Sequence, residues 1–132
     1  MTILIIFAQR VVEYLRCTGT TSTIALWGRS MGAATALLHG ERDPSIAAMV
    51  LDSAFADLVM LAEEMVEKGR QQGFFAPNLL VRVAINFIRS SVQKTAGFDI
   101  KALSPIAHAD RCFIPALFVA AEGDSFVLPS HR

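Results

Sequence analysis

A chain of 132 residues with twelve basic and twelve acidic side chains has the size of one domain and no net charge. No run of Lys or Arg exceeds two residues, which excludes the basic footprint of a nucleic-acid binder. Hydrophobic residues make up 53% of the chain, yet no stretch approaches the ~18 uninterrupted apolar residues of a membrane span, so core-rich α/β material is expected.

The opening "MTILIIFA" lacks the basic n-region and small-residue cleavage site of a secretory signal and reads as structure, with a cytoplasmic location as the expectation. Leu4, Phe7, Val11 and Leu15 follow the spacing of one helical face, and Gly19 supplies a stop. "STIALWG" is a short apolar run between "TGTT" and Gly28, the pattern of a buried strand. "MGAATALLHG" then places Ala34, Leu37 and Leu38 on one helical stripe. Gly32, Ala33 and Ala36 would let that helix approach a sheet, and Gly40 would close it. "DPSIAAMVLDSAF" gives a Pro-marked loop and a second buried strand over 47–51. Strand, helix and strand within about thirty residues form a βαβ unit, so these strands should be parallel.

Residues 57–95 change character. Asp57 can cap a helix bearing Leu58, Leu61, Met65 and Val66; "KGRQQG" interrupts it, and Pro77 opens another with Val81, Ile85, Ile88 and Val92. This is a helical insertion between strands. After a connector with a Ser104-Pro105 helix start, "CFIPALFVAAEGD" gives a third buried strand and a turn. Cys17 and Cys112 lack CxxC spacing and neighbouring histidines, which argues against zinc or a disulfide; both are expected as small buried hydrophobes.

Gly28-Arg29-Ser30-Met31-Gly32 matches G-x-S-x-G, at the junction of a predicted strand and a predicted helix. A chance match somewhere in a chain of this length has a probability of roughly 4%, so the context carries more weight than the motif alone. The physics asks for those residues. A serine on a sharp strand-to-helix turn exposes its hydroxyl, flanking side chains would collide with strand and helix, and glycine removes them. The N–H of Met31 at the helix start can then donate to a developing oxyanion.

"VVEYLRCTGTTSTIALWGRSMGAATALLHGERDPSIAAMVLDSAF" resembles the nucleophile region of the α/β-hydrolase superfamily, most closely its serine-aminopeptidase-like and acyl-hydrolase-like branch. "FDIKALSPIAHADRCFIPALFVAAEGDSFVLPSHR" resembles the same branch's approach to its acid. The resemblance implies a single, incomplete domain over 1–132: a partial α/β-hydrolase fold, with three parallel strands flanked by helices and 57–95 in place of the lid. It also implies hydrolysis of an ester, thioester or peptide bond in a small acyl or peptide substrate through acyl-Ser30. In that scheme Met31 lines the oxyanion hole, Gly28 and Gly32 shape the elbow, and neither metal nor cofactor takes part. Asp124, after the third strand at the carboxyl end of a parallel sheet, is the expected acid. Asp52 is its rival, with a structural role bonding loop amides as the stronger expectation, and Glu122 is expected as a solvated turn residue.

A serine also needs an imidazole within reach. His39 lies in the last turn of the helix after the elbow and reads as a C-terminal dipole partner. His108 precedes the third strand, on the opposite edge of the sheet. His131 has the right chain order but resembles the start of the family's next helix. The expectation is therefore a hydrolase of this ancestry, truncated and inactive as an isolated chain; the alternative is a non-catalytic acyl-binding or protein-interaction relic. Open sheet edges predict self-association. Membrane contact through the helical insertion is only weakly motivated.

Overall fold

A computed structural model describes residues 2–73, 77–97, 99–124 and 127. The elements run α1 (Thr2–Cys17), β1 (Ala25–Arg29), α2 (Met31–Arg42), β2 (Ala48–Asp52), α3 (Leu58–Gln71), α4 (Asn78–Ala96), a 3-10 turn (Ile100–Ala102), α5 (Ile106–Ala109) and β3 (Ala116–Val119). They fall into two compact units. One comprises the residues up to Ala56 together with those from Pro105 onward, and the other is Asp57–Ser104. Among the described residues no helix is long and apolar enough to cross a membrane.

The first unit is built on a parallel sheet in the order β1-β2-β3. Its register aligns Gly28 with Leu51 and Leu51 with Phe118, and likewise Arg29 with Asp52 and Asp52 with Val119. Side chains alternate across a sheet, so Leu26, Gly28, Met49, Leu51 and Phe118 share one face. Helix α2 packs on that face against β1 and β2, with α1 and α5 packed against α2. Val12, Ala33, Ala36, Leu37, Ile46, Met49, Leu51 and Ile114 form the core between these layers.

The three expected strands and their parallel sense are present, but β1 and β3 are not buried. Every residue of β3 is exposed. Two causes act: Trp27, Val50 and Leu117 occupy one row of the second face, where Trp27 is 79% and Leu117 61% exposed, and on the first face α2 packs over β1 and β2, leaving Phe118 of β3 exposed as well. Parallel sheets ordinarily carry helices on both faces. Here the helices of this unit lie on one.

Helix α1 forms as expected and ends just before Gly19, whose φ of 67° suits glycine and whose N–H donates to the Arg16 carbonyl at 3.2 Å. Its buried stripe differs from the expected one. Ile5 and Val12 are buried, while Leu4, Phe7 and Val11 are exposed, Leu4 and Phe7 beside Trp27 and Met31. Gly40, expected at the end of α2, lies inside it. A Cβ there would come within 2.9 Å of Met49 Sδ and Ile114 Cδ1, so its work is close packing rather than termination. Cys17 is exposed rather than buried, and Cys112 is half-buried.

In the second unit, Asp57 caps α3, its Oδ1 accepting the Val59 and Met60 N–H groups at 2.8 and 3.1 Å. Gly73, at φ 93°, follows the end of α3, and Pro77 precedes α4. Arg89 and Asp99 join α4 to the 3-10 turn by a two-pronged ion pair. The expected insertion 57–95 falls within this unit, which continues to Ser104.

Candidate active site

Ser30 is the single residue between β1 and α2. Its backbone lies at φ 50°, ψ −113°, outside the extended conformation usual for a residue preceding a helix. A non-glycine residue held there costs on the order of 1–3 kcal/mol. The hydroxyl recovers none of this by capping, because Ser30 makes no side-chain cap bond to α2. That separates the turn from an ordinary serine N-cap, where the side-chain oxygen is consumed by the N2 or N3 amide. Among the described residues the hydroxyl has no hydrogen-bond partner. It stands at the carboxyl end of the sheet, above the first turn of α2.

Gly28 is required by the close approach of strand and helix. A Cβ there would lie 2.2 Å from the Gly32 carbonyl carbon and oxygen and 2.5 Å from Ala33 N, all backbone atoms that cannot move aside. Gly32 differs from expectation, because a Cβ on it meets nothing within 4 Å. The crowding is one-directional: α2 presses its backbone onto Gly28, while the Cα–H of Gly32 points into open space. Met31 is the first residue of α2, so its N–H has no acceptor within the helix and is available to an oxygen placed at the turn.

Asp124 lies five residues beyond the end of β3, the strand whose carboxyl end shares a rim with the end of β1. Its N–H donates to the Ala121 carbonyl at 3.1 Å, and its Oδ1 accepts the Val127 N–H at 3.0 Å. Two strand spacings separate β1 from β3, about 10 Å.

No described histidine lies beside Ser30. His39 is nine residues along α2 from Ser30, about 13 Å at the helical rise. It is buried, and among the described residues neither of its ring nitrogens has a hydrogen-bond partner; Nε2 lies 3.7 Å from Asp43 Oδ2. Burial pushes its pKa below the ordinary imidazole value, with Arg16 and Arg42 acting the same way against the opposing pull of Asp43. The expected role of dipole partner in the last turn of α2 is opposed by this burial, which disfavours the charged ring. His108 does lie at the opposite edge of the sheet. Its Nδ1 is 2.6 Å from Glu41 Oε2 in the last turn of α2, and Arg111 Nε is 3.0 Å from the other Glu41 oxygen. His131 lies outside the described residues. Among the described residues no cluster of three His, Cys, Asp or Glu side chains gathers to hold a metal ion.

Asp52 does not bond loop amides with its carboxylate in the expected way. Oδ1 accepts the Ser53 hydroxyl at 3.1 Å and Oδ2 is 3.8 Å from Arg29 Nε, while the Asp52 backbone carbonyl accepts the Ser30 N–H at 2.8 Å. Ser53, like Ser30, has a positive φ, 48°. Sequence reasoning passed over it. The available signal was its position, a serine directly after the end of a strand, as Ser30 is.

Compared with models of known protein families, the chain matches none. No curated protein matches it either.

Proposed function

We propose that Ser30 is the nucleophile of an acyl-transfer site of the α/β-hydrolase type, acting on an ester, thioester or amide of a small acyl or peptide substrate. The observation that carries this reading is the strained, uncapped serine between β1 and α2: the backbone bears the cost of an unusual φ/ψ pair while the side chain makes no cap bond in return. Motif, strand–helix junction and the clash that forbids a side chain at residue 28 all agree with it.

In this scheme Ser30 Oγ attacks the acyl carbon and passes its proton to a base. The carbonyl oxygen becomes an oxyanion that accepts the Met31 N–H. Collapse expels the alcohol, thiol or amine with a proton, and water then releases the acid from acyl-Ser30. Loss of one oxyanion donor typically costs about 3–4 kcal/mol of barrier, so the Met31 amide is a substantial part of the chemistry. Asp124 would orient the base. Neither His39 nor His108 can be that base, because one is enclosed down α2 and the other is bound to Glu41 at the far edge.

That same observation favours a second reading, a non-catalytic acyl-binding relic of the fold. Labelling with a fluorophosphonate probe separates them. The hydrolase reading expects Ser30-dependent labelling that Ser30→Ala abolishes and Asp124→Asn slows. Equal labelling of the three proteins would end the catalytic reading, and binding of an acyl ligand that survives Ser30→Ala would support the relic.

A further inference from the structure

Taking Ser30 as the nucleophile, we infer that Ser53 is a positioning residue for it: the Asp52–Ser53 peptide, locked by the Ser53 hydroxyl, holds the elbow from the neighbouring strand. A strained turn persists only where its surroundings over-determine it. On the helix side Ser30 is held by its carbonyl, which accepts the Ala34 N–H at 3.1 Å. On the sheet side its N–H donates to the Asp52 carbonyl at 2.8 Å. The direction of that carbonyl is set by the peptide plane between Asp52 and Ser53.

The same peptide plane bonds in the other direction as well, since the Ser53 N–H donates to the Val119 carbonyl at 2.8 Å. One peptide unit thus ties the end of β1, which bears Ser30, to the end of β3, which leads to Asp124. Its orientation requires φ 48° at residue 53, a value glycine adopts freely and serine does not. Ser53 is nonetheless a serine, buried, with its Oγ donating to Asp52 Oδ1 at 3.1 Å. That bond closes a short ring around the peptide and fixes it. Arg29 contributes less: its side chain is 80% exposed and 3.8 Å from Asp52 Oδ2, the kind of surface pair that solvent screens.

The test compares Ser53→Gly, Asp52→Ala and Asp52→Asn with the parent chain by two readouts: amide hydrogen exchange at Ser30 relative to Leu51 in the core of β2, and the rate of fluorophosphonate labelling. Ser53→Gly tolerates the same positive φ and removes the hydroxyl together with its Cβ. It is expected to speed Ser30 exchange about fivefold, the factor one net hydrogen bond supplies, and to slow labelling by a similar factor. Asp52→Ala should do the same, and Asp52→Asn, which still accepts from Ser53, should stay near the parent. An unchanged ratio of Ser30 to Leu51 exchange in Ser53→Gly overturns the inference, whether or not Asp52→Ala folds. If the parent takes no label at Ser30, the nucleophile reading fails, while the exchange readout still decides the positioning role.

Discussion

Gly28 and Gly32 are indistinguishable in the motif and opposite in the structure. Alanine at 28 must displace the backbone of α2, so Gly28→Ala should lose stability at the upper end of the ~1–3 kcal/mol typical of overpacking. Gly32→Ala, facing open space in a helix, should be neutral or gain up to about 1 kcal/mol. Thermal unfolding of the two variants checks the contrast. Ser30→Gly should raise stability by about 1 kcal/mol, the released strain less the greater freedom of glycine in the unfolded chain, while removing the hydroxyl. His39 gives a pH signature. Its folded pKa lies below the ordinary value near 6.5, so the unfolded state binds more protons as the solution is acidified. Stability should fall as pH drops through 6.5 and level off below the folded pKa. In His39→Leu, which removes two buried nitrogens without a hydrogen-bond partner among the described residues, that slope should flatten in denaturation midpoints taken from pH 8 to 5. The motif made the serine legible from sequence. The asymmetry of its glycines and the orphaned imidazole arise from which backbone α2 touches, information no local pattern contains.

Element types were readable because each carries a local signal. The run "STIALWG" between turn residues, the Asp57 cap and the Pro77 start each correspond to an observed boundary within a few residues. Faces were less readable. On α1, two apolar stripes compete, Leu4-Phe7-Val11 and Ile5-Val12, and periodicity alone cannot say which meets α2; tertiary packing selects the second. Gly40 shows the same limit, since a glycine near the end of a helical pattern can stop the helix or admit a neighbour, and here it admits Met49 and Ile114. At this scale the firmest expectation concerns Asp57. Its carboxylate satisfies two amides of the first turn of α3, so Asp57→Ala should cost about 1 kcal/mol and fray that turn, seen as faster amide exchange at Val59 and Met60.

For the whole molecule, the sequence pointed to buried parallel strands, because they are apolar runs, and to open sheet edges. The first unit leaves Trp27 and Leu117 exposed in one row, against the first expectation, and among the described residues leaves β1 and β3 as the outer strands, in line with the second. Apolar faces and unpaired edges of this kind favour association. Sedimentation of the parent chain should show concentration-dependent self-association that Leu117→Glu weakens; a monomer at every concentration would contradict this. The site obeys the same sheet: the ends of β1 and β2 bring Ser30 and Ser53 to one edge, and β3, which leads to Asp124, ends on that rim too; Ser30 was legible because strand ends in a parallel sheet are predictable from strand order. The base was not, since neither described histidine reaches that rim.

The bend between β1 and α2 should make Ser30 chemically distinct from the other serines of the chain. The direct measurement is peptide mapping of fluorophosphonate adducts on the native and the urea-unfolded chain. Label confined to the peptide bearing Ser30, and lost on unfolding, is the expected result. Adducts spread over several serines, or indifferent to unfolding, would contradict it.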